Sequence, residues 1–475
     1  MSKQKLVQSI TSKESDFAQW YTDVCLKAEL MDYSSVQGFI IYRPYGYAIW
    51  EQMQNYLNNK FKETGHQNVY LPLVIPESLF QKEKDHIEGF APETAIITTS
   101  GKDNLAERLI VRPTSEVLFA EHYAKIIKSY RDLPVLYNQW CSVVRWEKTT
   151  RPFLRGKEFL WQEGHTAHAT EEEAMHETLQ MLDIYDNLGK ELLAIPFITG
   201  QKTEREKFAG AEKTYTIEAL MQDGKALQSG TSHYFGNGFA KAFNILFQDE
   251  NNNEKPVYQT SWGVTTRLIG AVIMVHGDDE GLVLPPHLAP IQVVAIPIQN
   301  EKEEVINHLP KIEQVLKNTN LRYKIDNSKR RPGWKFSEYE MKGVPIRLEF
   351  GPRDIQNGVV VLAKRNTREK LTVKFDDLEK TLDEMINEVH EEMYQKALNY
   401  LEANIRVAKT YEEFKEYIEL GGYVKMSVHG EEGELQVKED TGATARVIVD
   451  EELVTKTCPV TKKEANITIL FARSY

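Results

Sequence analysis

Charged side chains and large aromatic rings alternate along two neighbouring segments of the chain. These segments are residues 143–147 and 158–165, and the polar loop between them contains Arg155. Because side chains alternate between the two faces of a strand, a hairpin of these segments places Arg145 and Glu147 on one face. In the second strand, the same spacing groups Phe159, Trp161, Glu163 and His165.

An exposed face with ordinary ion pairs is the simpler interpretation of this pattern. It suits Arg145 and Glu163 but not Phe159 and Trp161, because large aromatic rings among charges are typical neither of a dry core nor of a solvated surface. A concave site with a few convergent polar groups accounts for both kinds of residue. The hairpin therefore predicts a ligand cleft.

Two further segments are candidates for the same cleft. Residues 228–233 read Gln-Ser-Gly-Thr-Ser-His, although a segment of this composition is more often an ordinary turn with a structural histidine. Residues 261–267 end in Arg267 before an apolar run, where the guanidinium can face an anion or pair with an internal acid. Taken together, arginines that face an aromatic platform suit a nucleotide, because a guanidinium binds phosphate and a ring stacks on a base.

The elements that must position these residues follow an α+β pattern. Between residues 133 and 276 the apolar positions mostly occur in short runs or alternate with period two, with helices near 170–193 and 239–247. This pattern predicts a large antiparallel sheet that is covered by helices. Before it, we expect a helix over 47–61 and a strand over 69–75, whose internal Pro72 belongs at a sheet edge or an interface.

Two prolines, Pro285 and Pro286, predict a domain boundary. Beyond them, five short apolar segments between 291 and 375 alternate with helical patterns, which is typical of a compact α/β domain. A long amphipathic helix over 378–393 leads to a tail with its own helix and strands. We therefore expect three domains, which are an N-terminal α+β domain (1–286), an α/β domain (287–390) and a small α+β domain (391–475).

Composition excludes several classes of protein. The 475 residues are 41% hydrophobic and 27% charged, as in an ordinary globular protein. The longest apolar run, residues 268–275, is far shorter than the ~18 residues of a membrane-spanning helix, and the polar stretch 1–16 does not resemble a signal peptide. We therefore expect no membrane association and a cytoplasmic location. The net charge is −12, but residues 287–390 contain 18 basic and 16 acidic residues and include clusters that could contact phosphates.

Several motifs of this chain resemble those of class II aminoacyl-tRNA synthetases. Pro72 in its strand resembles motif 1, residues 145–159 resemble motif 2, and residues 263–267 resemble motif 3. Within that class, the chain resembles prolyl-tRNA synthetases of the archaeal and eukaryotic type. The segments that resemble this family are 112–116, 159–165, 230–233, 331–336 and 342–347.

The resemblance implies roles for individual residues. Arg145 and Arg267 would be catalytic, with Arg145 on the α-phosphate and the substrate carboxylate and Arg267 facing the γ-phosphate. Glu147 would approach the adenine amino group, and Phe159 would stack on the adenine. The other implied ATP-binding residues are Arg155, Gln228, Thr231 and Thr265. The implied proline-binding residues are Thr114, Glu116, Arg145, Trp161, Glu163, His165, Phe208 and His233.

The implied reaction is the ATP-dependent ligation of L-proline to tRNA(Pro) through a prolyl-adenylate, with Mg²⁺ bound to the ATP. The resemblance further implies a homodimer that forms through the Pro72 region. The domain at 287–390 resembles the anticodon-binding domain of the family, and Glu340 and Arg347 are candidates for reading tRNA bases. About 60 residues separate His165 from Gln228, which is too few for an inserted editing domain.

The chain departs from the family in its cysteines. Members often have a four-cysteine zinc site near the C-terminus, but Cys458 is the only cysteine in this tail, so a structural zinc is not expected. His429, Glu431 and Glu434 are alternative ligands, although a solvated acidic turn explains them as well. Two other functions stay open: a class II ligase for another small amino acid, and a non-catalytic paralogue that binds tRNA or an amino acid.

Overall fold

The computed structural model of the chain describes residues 10–82, 94–449 and 452–475. Residues 1–9 lie outside the described residues. They form the first part of the stretch 1–16, in which no signal peptide was expected. Among the described residues, no helix is both long enough and apolar enough to cross a membrane.

The N-terminal half is built around a seven-stranded sheet, which confirms the predicted antiparallel sheet. Its strand order is β3-β7-β8-β14-β11-β10-β9, and every neighbouring pair is antiparallel except β3 and β7. Smaller sheets pair β1 with β2, β12 with β13, and β4 and β5 with β6. The strands of this half are β1 (Met31–Tyr33), β2 (Ile40–Tyr42), β3 (Gln67–Asn68), β4 (Val74–Pro76), β5 (Ala95–Ser100), β6 (Asp103–Val111), β7 (Val135–Val144), β8 (Glu158–His168), β9 (Ile198–Gln201), β10 (Lys213–Leu220), β11 (Ala226–Gly236), β12 (Leu246–Gln248), β13 (Glu254–Pro256) and β14 (Tyr258–Thr265).

Helices cover one face of this sheet and leave part of the other face open. The helices are α1 (Phe17–Lys27), α2 (Pro44–Glu63), α3 (Glu77–Phe80), α4 (Glu116–Ile126), α5 (Glu171–Leu188), α6 (Gly238–Phe243) and α7 (Arg267–His276). Two hydrogen bonds attach α5 to the covered face: Tyr185 Oη donates to Gln162 Oε1 at 2.6 Å, and Ser232 Oγ donates to the carbonyl of Thr178 at 2.7 Å. Because side chains alternate along each strand, the neighbours of Gln162 and Ser232 project from the opposite face.

The expected strand over residues 69–75 is wrong in its extent. Only Val74–Pro76 forms a strand, and residues 69–73 follow an irregular path. The ends of this segment bond to backbone groups at Asn138 and Arg112. At its centre the Leu71 N–H donates to the Gln139 side chain (Oε1) at 2.5 Å, and the Leu71 carbonyl accepts from the Arg112 side chain (Nη1) at 2.7 Å. Pro72 is therefore not inside a strand. The expected helix over 47–61 is longer, because Pro44 begins it at a position where no N–H donor is needed.

The second unit is the α/β domain that the sequence predicts. Its sheet has the order β16-β15-β17-β18-β19, in which β15 pairs in parallel with β16 and β17, and β18 and β19 are antiparallel. Its strands are β15 (Val293–Pro297), β16 (Tyr323–Ile325), β17 (Ile346–Phe350), β18 (Val359–Lys364) and β19 (Lys370–Lys374). Its helices are α8 (Glu303–Asn318), α9 (Pro332–Met341), α10 (Pro352–Gln356) and α11 (Leu378–Ala403).

The third unit is a four-stranded sheet with the order β20-β21-β23-β22. Its elements are β20 (Ile405–Val407), α12 (Tyr411–Glu419), β21 (Tyr423–Val428), α13 (Gly430–Thr441), β22 (Thr444–Ile448) and β23 (Ile467–Ala472). Helix α11 continues through residue 390, where the sequence placed a boundary, so the chain passes from the second unit to the third along a continuous helix. The third unit also contacts the seven-stranded sheet, because the Tyr475 N–H donates to the Ala226 carbonyl at 3.1 Å.

Candidate active site

The strand register brings the predicted site residues onto the open face of the seven-stranded sheet. Glu163 of β8 lies opposite Gln139 of β7 and Gly263 of β14. Gly263 lies opposite Thr231 of β11, so these four residues form one row across four strands. Directly opposed residues project from the same face of a sheet. The sheet therefore joins segments that are about a hundred residues apart in the sequence.

This face forms the base of a cleft of about 410 Å³. The predicted residues that line it are Thr114, Glu116, Arg145, Glu147, Arg155, Phe159, Trp161, Glu163, Phe208, Gln228, Thr231, His233, Thr265 and Arg267. Lining residues that the sequence analysis did not single out include Lys202, Glu206, Lys207, Thr214 and Ser261. The structure thus collects in one cleft all but one of the residues that were predicted to bind proline or ATP.

The exception is His165, which the structure places behind Glu163 instead of in the lining of the cleft. Its Nε2 lies 3.0 Å from Glu163 Oε2, and its ring stacks on Phe119 with 4.1 Å between centroids. The prediction that His165 lines the amino-acid site is therefore corrected. The two residues do share a face of β8, but helix α4 covers that face at His165. From this helix, Phe119 stacks on the imidazole and Tyr123 Oη donates to the His165 carbonyl.

Glu163 is held by donors on both carboxylate oxygens. Ser115 Oγ donates to Oε1 at 2.5 Å and Gln139 Nε2 donates to Oε1 at 2.7 Å. With His165 beside Oε2, the carboxylate is fixed in place while its residue is only 2% exposed. A buried carboxylate at the base of a cleft is suited to bind a ligand cation, since the charge is already paired with fixed dipoles.

A second carboxylate belongs to Glu116, the first residue of helix α4. Thr114 Oγ1 donates a hydrogen bond to Glu116 Oε2. A negative charge at a helix N-terminus is stabilised by the helix dipole. The Thr114–Glu116 turn therefore presents a fixed acidic group to the cleft beside Glu163.

Arg145 lies immediately after β7, which ends at Val144, so the expected strand through residue 147 is three residues too long. Its Nε donates to the Pro113 carbonyl at 3.0 Å. Its guanidinium lies 5.4 Å from the Phe159 ring centroid and 5.5 Å from that of Trp161. The sequence prediction of an arginine beside an aromatic platform matches this geometry, which supplies donors for an anion and a ring for stacking.

Arg267 begins helix α7, two residues after the end of strand β14. Its Nε and Nη1 donate to the carbonyls of Leu154 and Gln228, both at 3.2 Å. Burial, together with the neighbouring cations Arg145 and Arg155, lowers the pKa of Arg267 to about 10. Three arginines converge on this part of the cleft, where a polyanionic ligand would relieve their mutual repulsion.

Glu147 and Arg155 lie at the entrance to the arginine cluster. Arg155 Nε is 3.6 Å from Glu147 Oε2, and the Arg155 side chain is 53% exposed. An exposed pair of this kind contributes little to stability. Both side chains can therefore change partners at little cost when a ligand binds.

A compact apolar corner lies on the other side of Glu163. The rings of Phe208 and His233 are 4.6 Å apart, and Thr214 Oγ1 lies 3.0 Å from His233 Nδ1. With Trp161, these side chains enclose a small volume next to two carboxylates. This corner suits a small apolar ring that has a cationic amine.

The residues predicted to read tRNA bases also meet in space. Arg347 Nη1 is 2.8 Å from Glu340 Oε1, and its guanidinium lies 4.1 Å from the Phe336 ring centroid. Glu340 and Arg347 line a second cavity of about 170 Å³ together with Tyr339 and four basic side chains, Lys364, Arg365, Arg368 and Lys370. A basic pocket with an aromatic ring is suited to bind an unpaired base and its phosphates.

Comparisons with known proteins agree with this geometry. Residues 97–276 match the tRNA synthetase class II core domain (G, H, P, S and T), residues 292–385 match the anticodon binding domain, and residues 411–475 match the prolyl-tRNA synthetase C-terminal domain. The proline–tRNA ligase of Onion yellows phytoplasma is 59% identical over 475 residues, which is the whole of both chains.

The chain belongs to the proline–tRNA ligase family. Other members are the enzyme of Clostridium novyi, 58% identical over 100% of this chain and 99% of its own length, and proline–tRNA ligase 2 of Bacillus cereus, 55% identical over the full length of both chains. The family membership confirms the resemblance that the motifs indicated. These three relatives are bacterial proteins, so the comparisons do not assign the chain to the archaeal and eukaryotic type.

The structure also bears on metal binding in this family member. Among the residues that the structure describes, no three His, Cys, Asp or Glu side chains lie together as metal ligands would. Cys458 is buried in the core of the third unit. Of the alternative ligands, Glu434 accepts a hydrogen bond from Thr203, and His429 Nδ1 lies 2.8 Å from the Glu464 carbonyl.

Proposed function

We propose that the protein ligates L-proline to tRNA(Pro) at the expense of ATP, in two steps through a prolyl-adenylate. The observation that supports this function best is the arrangement of one cleft with three arginines at one end and two carboxylates beside an aromatic corner at the other. The first end suits a triphosphate and the second suits a cationic ring. Of the three arginines, Arg145 is the one next to the rings of Trp161 and Phe159.

In the first step, the proline carboxylate attacks the α-phosphorus of ATP, and pyrophosphate leaves from the opposite side. No general base is needed, since the attacking group is already an anion. The task of the protein is therefore orientation and the neutralisation of charge that develops on the phosphate. We assign this task to Arg145, which would contact both the carboxylate and the α-phosphate, and to Arg267, which would face the γ-phosphate. Mg²⁺ enters as the complex with ATP and shares the neutralisation.

The remaining cleft residues have binding roles in this proposal. Phe159 stacks on the adenine and Glu147 accepts its amino hydrogens, while Arg155, Gln228, Thr231 and Thr265 surround the rest of the nucleotide. Glu163 and Glu116 bind the secondary ammonium of proline, and Thr114, Trp161, Phe208 and His233 enclose its ring. His165 acts indirectly, by positioning Glu163.

In the second step, a hydroxyl of the terminal ribose of tRNA attacks the prolyl carbonyl, and AMP leaves. The basic pocket around Arg347 and Glu340 would read the anticodon of the same tRNA. The proposal assigns residues 1–286 to catalysis, 287–390 to anticodon binding and 391–475 to a C-terminal domain. It places the enzyme with its tRNA in the cytoplasm and within the archaeal and eukaryotic type, which the motifs of the sequence resemble.

We also propose a homodimer that forms through the region of Pro72. Tyr70 and Leu73, on either side of Leu71 and Pro72, are 68% and 44% exposed. Two large apolar side chains exposed close together are typical of a surface that another chain covers.

Amino-acid-dependent exchange of labelled pyrophosphate into ATP tests the function. Proline should support exchange far better than other amino acids, and Arg145→Ala should reduce it by two to three orders of magnitude, as expected for the loss of one transition-state contact worth about 2.7 to 4 kcal/mol. Preferred exchange with another small amino acid would favour the alternative ligase. No exchange with any amino acid would favour a non-catalytic paralogue.

A further inference from the structure

A buried lysine, Lys202, lines the catalytic cleft although neither the motifs nor the roles assigned above include it. It follows strand β9, and its N–H donates to the Thr214 carbonyl at 2.8 Å, which extends the pairing of β9 with β10 by one residue. Thr214 lies opposite His233 in the register, so Lys202 belongs to the same row as the proposed proline corner.

The ammonium of Lys202 pairs with the buried carboxylate of Glu218. Lys202 Nζ lies 3.6 Å from Glu218 Oε1, with the two side chains 3% and 0% exposed. Thr216 Oγ1 also donates to Glu218 Oε1, at 2.9 Å. Glu218 lies opposite Gln228, whose carbonyl accepts from Arg267. The Lys202 side chain thus runs from the row of the proposed proline corner towards Glu218. Glu218 lies beside Gln228, which we assign to the nucleotide.

The other oxygen of Glu218 is occupied by the third unit of the chain. Arg446 of β22 donates to Glu218 Oε2 through Nε at 3.1 Å and through Nη2 at 2.8 Å. Both side chains are buried, at 7% and 0% exposure. Two donors of one guanidinium on the same carboxylate oxygen fix that carboxylate in position.

The third unit also contacts the chain on both sides of Lys202. Gly200 lies so close to Val447 that a Cβ at this glycine would be 2.3 Å from Val447 Cγ1. Thr203 Oγ1 donates to Glu434 Oε2 at 2.8 Å. The segment that leads into the cleft is therefore fixed by the third unit at residues 200 and 203.

We propose that Lys202 supplies a positive charge to the substrates in the cleft, and that Arg446 is a positioning residue that acts on Lys202 through Glu218. This inference rests on the proposed function and assigns to the C-terminal unit a part in the reaction. Burial lowers the pKa of Lys202 and Glu218 opposes that effect. Glu218 therefore favours the charged form of the lysine, whereas the nearby Arg446 disfavours it.

An alternative role for Lys202 and Glu218 is that of an ion pair that only stabilises the fold. A variant in which these side chains are uncharged, called the neutral pair, distinguishes this role from the proposed one. Replacing a buried ion pair by uncharged residues of similar volume commonly preserves stability. We expect this neutral pair, Lys202→Met/Glu218→Gln combined with Arg446→Met so that no buried charge is left without a partner, to unfold near the wild-type temperature. Its kcat/KM for proline-dependent pyrophosphate exchange should nevertheless be at least tenfold lower. Lys202→Arg, which keeps the charge, should retain more activity than Lys202→Met.

The role of Arg446 is tested in the same assay. Arg446→Met should lower kcat/KM about tenfold, whereas Arg473→Ala, which removes an arginine paired with Glu419 on the surface of the same unit, should stay within twofold of wild type. In the Glu218→Gln background, Arg446→Met should cause no further loss. If Arg446→Met does not fold, Arg446→Lys replaces it. A smaller loss of kcat/KM is expected for Arg446→Lys, because the two-donor contact with Glu218 is broken but the positive charge is kept.

Two results would overturn the inference. One is wild-type exchange in the neutral pair, which would leave the pair a structural role only. The other is unchanged exchange in a folded Arg446→Met protein, or in Arg446→Lys if Arg446→Met does not fold. Failure of the proposed function would look different, because the wild-type protein itself would then show no proline-dependent exchange.

Discussion

The imidazole of His165 lies behind the carboxylate of Glu163, with Nε2 3.0 Å from Oε2. The histidine is 4% exposed and stacks on Phe119, so it is fixed by the core and in turn orients the carboxylate. Glu163 is the group that we assign to the ammonium of proline. An orienting partner of this kind should affect the binding of one substrate and not the other.

We therefore predict that His165→Leu raises KM for proline about tenfold or more and changes KM for ATP less than twofold. A hydrogen bond to a charged group is worth about 1.5 to 3 kcal/mol, which corresponds to at least that factor. His165→Gln, which can place an amide donor near the same oxygen, should retain most of the affinity. Pyrophosphate exchange at varied proline and varied ATP measures both constants, and an equal rise in the two would contradict the positioning role.

The second prediction concerns Glu434, whose side chain is buried against Thr203 and lies near Glu206 and Glu431. Burial raises the pKa of Glu434 from 4.5 to about 7. The unfolded chain then ionises this group at lower pH than the folded chain does, so stability is lost as pH rises from about 4.5 through 7. We expect the unfolding temperature of wild type to fall between pH 5 and pH 8 by more than that of Glu434→Gln. Identical pH dependence in the two proteins would contradict a raised pKa.

The third prediction is that the purified protein contains no stoichiometric, tightly held zinc. One tail cysteine cannot form a structural site, Cys458 is buried in an apolar core, and Glu434 and His429 are occupied by other contacts. Elemental analysis after treatment with a chelator measures the metal content. One zinc per chain that survives this treatment would mean that other ligands have replaced the missing thiols.

The fourth prediction concerns errors in amino-acid selection. The residues between His165 and Gln228 form α5, β9 and β10, which belong to the catalytic unit, so this interval contains no separate domain. Alanine is smaller than proline, and each missing methylene weakens binding by only ~1 to 3 kcal/mol, so alanine should be activated detectably. Cysteine, which is close to proline in volume, should be charged as well. Preformed alanyl-tRNA and cysteinyl-tRNA should persist with the enzyme, and rapid enzyme-dependent deacylation would reveal a hydrolytic site.

The fifth prediction concerns assembly. Tyr70→Asp with Leu73→Asp should shift the protein from dimer to monomer, because each substitution puts a charge into the proposed apolar contact. Leu420→Asp is a suitable control, since Leu420 is 62% exposed in the third unit, away from this region. Light scattering coupled to gel filtration measures the mass. A monomeric wild type, or a double variant that stays dimeric, would reject the Pro72 region as the interface.

The sequence could predict the features that depend on local periodicity. Period two in residues 158–165 placed Phe159, Trp161 and Glu163 on one face, because neighbouring side chains of a strand must alternate. The α/β character of residues 287–390 followed from strands that alternate with helical patterns. Local signals were less reliable where backbone groups bond to distant side chains, as at Leu71, which donates to Gln139 and therefore leaves the expected strand.

The sequence by itself determined the family, the α+β and α/β units and most residues of the cleft, because motif and period are properties of short segments. Only the tertiary structure decided that His165 lies behind Glu163, since helix α4 covers that end of the strand. Only the tertiary structure placed Lys202 in the cleft, where Glu218 pairs with both Lys202 and Arg446. Arg446 lies more than two hundred residues after Lys202 and Glu218 in the sequence. No local pattern records such contacts, because they arise from the packing of separate units and not from the spacing of residues along one element.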